Sequence, residues 1–275
     1  QRGLALFLIL LVIFVAKNTN ADEKPLWEAG IGGALLLLPD YRGSDEYRLY
    51  ALPYPYFVYR GDKLKVDERR ISGRFFKTDR VLLDFSLYGS VPVKSSNNTA
   101  RTGMPDLDPT FEIGPALRIF LIKNKKEKLS LNLPVRALFS TDFSSLSREG
   151  WIFSPRLELE EKDIFRTGLK LGISAGPMFT DSSYNTYFYN VEPFYAIASR
   201  PAYSAGGGYG GSTLTVGLSK EYKQFVFNVF ASADFLQGAV FEDSPLVKRK
   251  TSFMSGFNLS WIFAKSAKTV VSDID

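Results

Sequence analysis

The 275-residue sequence contains no cysteine and no histidine. Without cysteine the chain has no disulfide, no thiolate nucleophile and no cysteine-based zinc site. Without histidine it lacks the imidazole that acts as general base in Ser–His hydrolases and binds many metals. These absences exclude the familiar hydrolase chemistries. They predict a protein that is not an enzyme and that uses no cofactor and no metal.

Long hydrophobic runs are also scarce, and the longest lies at the N-terminus. Arg2 precedes an apolar run over residues 4–16, and a short polar stretch then leads to Ala21. This is the pattern of a secretory signal peptide with its small-residue cleavage site. The alternative, a transmembrane helix, is disfavoured because the run is short for a hydrocarbon core about 30 Å thick. We therefore predict a cleaved signal peptide over residues 1–21 and an exported chain.

The remainder of the sequence is dominated by strict alternation of apolar and polar residues. In the clearest case, residues 253–263, Phe253, Phe257 and Trp261 fall on one face and Asn258 on the other. Similar segments of about ten residues recur along the chain, as expected for half-buried antiparallel strands. The sequence therefore predicts an all-β protein.

Two all-β architectures fit this alternation, a soluble barrel or sandwich and a membrane barrel. The segments are longer than the usual ~5–6 residues of soluble strands, which favours the membrane barrel. Aromatic residues at the strand ends suit the interfaces of a membrane. Charged residues occupy the polar faces in mid-strand, where a membrane barrel directs them into its lumen. They are Asp84, Arg118, Arg136, Arg156, Glu158, Lys170 and Asp234.

The loop pattern predicts an antiparallel transmembrane β-barrel of ten strands over residues 22–263, with twelve strands as the alternative. Short turns alternate with long loops, as in outer-membrane barrels. Residues 61–79 decide between the two counts, and their charged run from Asp67 to Arg70 favours a periplasmic excursion over two further strands. Residues 264–275 are expected to form a polar C-terminal tail.

The lumen charges leave two interpretations open. In a narrow ten-stranded barrel they pair across the lumen and fill it, because barrel width grows with strand number. If they are unpaired and hydrated, they line a small pore and select solutes by charge. We favour the filled lumen.

Two further groups of residues are candidates for contact with a partner. Tyr184, Tyr187 and Tyr189 lie in a long loop, where tyrosines suit a protein interface or anchoring at the membrane surface. Lys125 and Lys126 lie in a short turn, where they suit an acidic partner or murein, or are simply solvated. Carboxylates in the first two long loops have no EF-hand-like spacing, so we interpret them as turn caps and not as calcium ligands. They are Asp40, Asp45, Glu46, Asp106 and Asp108.

Several long-loop motifs resemble those of the MipA/OmpV (MltA-interacting protein-like) family of outer-membrane proteins. They occur in the same order as in that family and span nearly the whole exported chain. The motifs are Trp27–Gly33, Pro39–Tyr47, Leu52–Pro55, Arg101–Pro109, Arg200–Tyr203 and Asp243–Val247.

The resemblance implies a barrel in the outer membrane of a Gram-negative bacterium, in contact with lipid and lipopolysaccharide. It implies a non-enzymatic scaffold that brings together a lytic transglycosylase and a murein synthase for peptidoglycan synthesis and turnover. Because other members are described as porin-like or adhesive, a small solute channel or an adhesin is the alternative. The family offers no agreed catalytic residues to carry over, and no nucleic acid partner is expected.

Overall fold

The computed structural model describes residues 23–61, 64–67, 70–73 and 76–271, so the predicted signal peptide lies outside the described residues. It contains sixteen strands and one α-helix, α1 (Ser182–Tyr189). No helix in the described part of the chain is long and apolar enough to cross a membrane. Three short 3-10 turns cover Ser95–Asn97, Thr99–Arg101 and Pro193–Tyr195. The strands are β1 (Glu23–Pro25), β2 (Trp27–Pro39), β3 (Tyr47–Arg60), β4 (Leu64–Asp67), β5 (Arg70–Gly73), β6 (Phe76–Lys77), β7 (Val81–Ser90), β8 (Thr110–Lys123), β9 (Glu127–Thr141), β10 (Leu146–Phe153), β11 (Arg156–Ile164), β12 (Leu169–Thr180), β13 (Gly208–Tyr222), β14 (Phe225–Phe235), β15 (Thr251–Lys265) and β16 (Thr269–Val271).

Fourteen of these strands form one antiparallel sheet that curls into a barrel. Its order is β5-β4-β3-β2-β15-β14-β13-β12-β10-β9-β8-β7-β6, with β11 also between β9 and β12. The first long strand, β2, pairs with the last, β15. The sheet therefore runs from β5 around to β6, which are only two residues apart in sequence. The predicted all-β barrel is confirmed.

The strand count corrects the favoured prediction. Three short strands, β4, β5 and β6, join the sheet where the sequence favoured a periplasmic excursion. With β10 and β11 taken as one strand, the described part of the sheet has thirteen strand segments, more than the ten that the sequence favoured. Asp67 at the end of β4 is the register partner of Arg70 at the start of β5, so these two strands are antiparallel neighbours.

The C-terminal segment contains regular structure. β15 continues beyond Phe263 to Lys265, and β16 pairs with β1 in a separate two-stranded sheet. Residues 272–275 lie outside the described part of the chain. The polar tail over 264–275 as a unit of its own stays a prediction.

The distribution of side chains is the reverse of that in a soluble barrel. Large apolar residues such as Leu35, Phe253 and Trp261 are exposed on the outer wall. Small polar residues such as Ser252 and Ser260 are buried inside. This distribution is expected when the outer wall faces hydrocarbon and the inner wall lines a polar lumen.

Gly114 on the inner face of β8 allows a close approach to β9. A Cβ added there would collide with the backbone carbonyl oxygen of Val135, and the backbone cannot yield as a side chain can. We expect Gly114→Ala to destabilise the barrel by about 1–3 kcal/mol, as overpacking does. The measurement is the fraction of protein that migrates as folded barrel on a heat-modifiability gel after refolding in the presence of urea. Gly33→Ala is the control, since a Cβ at Gly33 meets nothing within 4 Å. Equal loss in both variants would contradict the expectation.

Candidate functional site: the loop cap and the lumen

The four longest loops fold together over one end of the barrel. They comprise residues 40–46, 91–109, 181–207 and 236–250, and we call this structure the loop cap. Phe241 is fully buried and stacks on Tyr189 with ring centroids 3.7 Å apart. A continuous apolar core of this kind gives the loops a fixed structure. Its buried members are Tyr41, Val93, Ala100, Leu107, Tyr189, Val191, Ala205, Leu236, Ala239, Phe241 and Leu246.

A buried arginine joins loops within the loop cap. The Arg200 guanidinium donates to the carbonyl oxygens of Ala100 at 3.0 Å, Thr102 at 2.9 Å and Tyr195 at 2.7 Å. A guanidinium carries five N–H donors in a rigid fork and can satisfy several loop carbonyls at once. Arg200 therefore ties the second long loop to the third.

Helix α1 packs against the inner wall of the barrel beneath the loop cap. Asp181 caps its N-terminus by accepting from the backbone N–H of Tyr184 at 2.9 Å. Tyr184 packs against Leu138, Ile152 and Met178 on the inner wall. The helix thus places an aromatic ring at the top of the lumen.

The predicted partner surface of tyrosines is not exposed. Only 6% of Tyr184 and 2% of Tyr189 is exposed to solvent. Tyr187 packs against the loop-cap core, and its hydroxyl donates to the carbonyl oxygen of Asp108 at 3.3 Å. This corrects the prediction, because the aromatic residues that the sequence placed on a surface serve as the core. The large aromatic of this loop that does face solvent is Phe194, 88% exposed.

Burial changes the ionisation of the loop-cap tyrosines, and it raises the pKa of Tyr187 to about 12. A phenol with a raised pKa in the folded state stabilises the fold below pH 10, and this stability is lost as the pH rises through about 12. We expect Tyr187→Phe to remove one tyrosine from the late part of an alkaline titration followed at 295 nm. A loss of amplitude near pH 10 instead would show that Tyr187 is solvated.

Several of the predicted charges form ion pairs inside the barrel. Arg136 on β9 meets Glu112 on β8 at 2.8 Å, and both side chains are buried. Arg136 also donates to the hydroxyl oxygens of Ser86 at 3.2 Å and Ser154 at 2.9 Å. Each of the three nitrogen atoms of this guanidinium therefore donates a hydrogen bond.

A second lumen pair joins β8 to β11. Arg118 lies 3.2 Å from Glu158, which also accepts a hydrogen bond of 2.8 Å from the Asn132 side chain. Asp84 on β7 is buried and has contacts of its own. The sequence thus placed these residues correctly on the inner face.

Asp234 joins the barrel to the loop cap. Its carboxylate lies 3.1 Å from the Arg42 guanidinium and accepts from Thr213 at 2.6 Å. Arg42 also donates to the carbonyl oxygen of Gly210 at 2.9 Å. The sequence missed Arg42, because alternation describes strands and Arg42 reaches the lumen from a loop. The signal that was available is its place within the Pro39–Tyr47 motif.

Lys170 does not belong to this network. It bonds Glu221 on β13, which also holds Lys24 at 2.8 Å. These residues lie at the opposite end of the barrel, which carries the short turns. Alternation predicted the face of Lys170 but not its height in the barrel.

One apolar cluster lies near each end of the barrel interior. Above lies helix α1, and near the short turns Tyr56, Val58 and Val226 form a buried cluster. Between them, Tyr88 points inward from β7 and yet is 53% exposed. The charges of Glu112 and other lumen residues act on it, so the exposed space beside it is the lumen.

The predicted basic turn is exposed. Lys125 and Lys126 follow β8, and Lys126 forms an open ion pair of 3.2 Å with Glu161. Exposed pairs of this kind add little stability, so both lysines are accessible to a partner.

The loop carboxylates hold turns. Asp40 accepts from Arg48 at 2.6 Å and from Asn98 at 2.8 Å, and Asp106 accepts from the backbone N–H of Ser95 at 2.6 Å. Among the described residues, no group of three or more acidic side chains is placed to hold a metal ion. These carboxylates stabilise the conformation of the loops by accepting hydrogen bonds.

These features define a class, an outer-membrane β-barrel with a capped, polar lumen. The family model described as MltA-interacting protein MipA matches residues 31–263, and the chain belongs to that family. Its location is the outer membrane. No curated protein matches the sequence significantly.

Solved structures with a similar course of the chain are distant in sequence. The NanC porin is 6% identical, covers 85% of this chain and 98% of its own, and has a TM-score of 0.39. An outer-membrane channel from Pseudomonas putida F1 is 12% identical, with 90% and 100% covered and a TM-score of 0.36. The outer-membrane protease OmpT from Escherichia coli is 7% identical, with 90% and 99% covered and a TM-score of 0.30.

Proposed function

We propose that the protein is a non-enzymatic scaffold of the outer membrane that holds murein enzymes at its periplasmic face. The partners proposed are a lytic transglycosylase of the MltA type and, with it, a murein synthase. The family description names an MltA-interacting protein, which supports the first partner.

The packed loop cap is the observation that carries the proposal. The loops at one end of the barrel share an apolar core, and α1 packs on the inner wall beneath it. The neighbouring lumen charges bind one another at Arg136–Glu112 and Arg118–Glu158. These features favour binding of a partner at the periplasmic rim of the barrel over transport of solutes through its lumen.

The basic turn between β8 and β9 is the contact we propose for the transglycosylase. On this proposal Lys125 and Lys126 face the periplasm, where exposed positive charge attracts an acidic surface. The contact is expected to weaken as salt is added, because exposed charges are screened.

The test is binding of a purified MltA-type transglycosylase to the refolded barrel in nanodiscs. We expect the double variant Lys125→Glu, Lys126→Glu to bind at least about tenfold more weakly, since like charges then face each other across the contact. Phe194→Ala, at the extracellular end, is the control and leaves binding unchanged. Absence of binding by the unaltered barrel would refute the scaffold, and binding unaffected by charge reversal would refute this contact.

A small solute channel is the second candidate, favoured by the exposure of Tyr88 inside the lumen. A continuous wet lumen would conduct ions in discrete, ohmic steps across a planar bilayer. We expect the unaltered barrel to remain silent because its loop cap is closed. Steps of constant size would establish the channel instead.

A further inference from the structure

Arg156 at the start of β11 is a cation on the inner face of the barrel. The next residue, Leu157, is exposed on the outer wall, so Arg156 points inward. Within the part of the chain that the structure describes, its guanidinium makes no hydrogen bond or ion pair. An arginine that is partly removed from bulk water and lacks a partner is costly, unless an anion accompanies it.

The nearby carboxylates act on Arg156 only from a distance, because other groups bind them directly. Glu158 lies two residues along the same strand but is held by Arg118 and Asn132. Glu112, whose charge also reaches Arg156, is held by Arg136. Among the described residues, these two pairs therefore leave the Arg156 guanidinium without a direct ion pair.

A second free polar group faces the same space. The charge of Arg156 acts on Tyr88, so the two side chains share one part of the lumen. The Tyr88 hydroxyl makes no hydrogen bond with any described residue, and the side chain is more than half exposed. A guanidinium and a phenol hydroxyl therefore face the same part of the lumen beneath the loop cap.

We propose that Arg156 and Tyr88 bind the carboxylate of a small organic anion in the lumen. The planar guanidinium offers two parallel N–H donors to a carboxylate, and the Tyr88 hydroxyl donates a third hydrogen bond to it. A phosphate dianion fits less well, because the neighbouring cation, Arg136, is committed to Glu112. The site is independent of the scaffold role and of contacts at the periplasmic rim.

The experiment measures binding of sodium gluconate to the full exported chain in micelles by calorimetry. Gluconate is present during refolding in one series and added afterwards in another, so that slow entry does not conceal binding. Sodium chloride at equal ionic strength separates specific binding from general attraction of anions. We expect one gluconate per barrel, and Arg156→Gln to weaken binding at least about tenfold, since bonds to charged groups are strong.

Matched variants separate this site from general charge effects. Lys170→Gln removes one positive charge elsewhere on the inner wall and leaves gluconate affinity unchanged. Arg156→Lys keeps the charge without the fork and gives an intermediate affinity, and Tyr88→Phe weakens binding about two- to tenfold. A heat-modifiability gel verifies that each variant is folded. If Arg156→Gln does not fold, Arg156→Lys and Tyr88→Phe decide the matter.

Three outcomes would overturn the proposal. The first is no gluconate binding by the unaltered barrel beyond the chloride control. The second is that the folded Arg156 and Tyr88 variants bind gluconate as tightly as the unaltered barrel does. The third is an equal loss of affinity in Lys170→Gln, which would indicate non-specific attraction. None of these outcomes bears on the binding of a transglycosylase, so the two proposals fail separately.

Discussion

Replacing Arg136 by methionine is expected to destabilise the barrel by about 3–5 kcal/mol. The substitution leaves the Glu112 carboxylate buried without its cation and removes the donors to Ser86 and Ser154. Removing one partner of a buried pair costs more than the pair itself contributes, because the remaining charge is not solvated. The measurement is urea unfolding in lipid vesicles, followed by tryptophan fluorescence.

Two controls separate this effect from a general loss of charge. Combining Arg136→Met with Glu112→Leu removes the isolated carboxylate, so most of the lost stability is expected to return. Lys126→Gln breaks the exposed pair with Glu161 and is expected to cost less than about 1 kcal/mol. A single variant as stable as the unaltered protein would mean that water enters and solvates Glu112.

Replacing Phe241 by alanine is expected to cost the loop cap about 3–5 kcal/mol while the barrel stays folded. Phe241 is fully buried, and its ring stacks on Tyr189, so truncation leaves a cavity in the centre of the loop core. The loops are then expected to open locally and become accessible to protease. The measurement is the rate of proteolytic cleavage within the long loops at fixed protease concentration.

Phe194→Ala is the matched control for the loop cap. Phe194 has the same side chain in a neighbouring loop but is 88% exposed, so its truncation leaves the cleavage rate nearly unchanged. The heat-modifiability of both variants remains normal, because the barrel wall is untouched. Equal cleavage of the Phe241 variant and the unaltered protein would show that the loop cap does not depend on this core.

The strands were predictable because the membrane enforces their pattern. Along β9 and β15, every second side chain meets lipid and every other meets the lumen, so sequence alternation reports the fold directly. β4, β5 and β6 entered the prediction only through the twelve-strand alternative, because two to four residues are too few to display a period, and charges crowd their ends. Helix α1 was missed for a similar reason, since eight residues inside a tyrosine-rich loop carry little periodic signal.

The site was predictable in part. Alternation placed Arg118, Arg136 and Glu158 on the inner face, which is where they lie. It did not reveal which charges pair, because pairing depends on the register between strands and on their heights in the barrel. It also failed for Tyr184 and Tyr189, since the same aromatic residues suit an exposed interface or a buried core. Whether these tyrosines are exposed or buried depends on how the four long loops pack against one another.

The junction of the two chain ends determines when this protein can fold. β2 pairs with β15, and β1 pairs with β16, so the first and last described strands are neighbours although the whole sequence separates them. Pairing of strands so distant in sequence makes barrel closure slow, because the intervening chain loses conformational entropy before the stabilising contacts form. The barrel therefore cannot close until its final strands have been synthesised and exported. Until then the growing chain must be kept from aggregating, and a truncated copy would lack the strand that completes the wall.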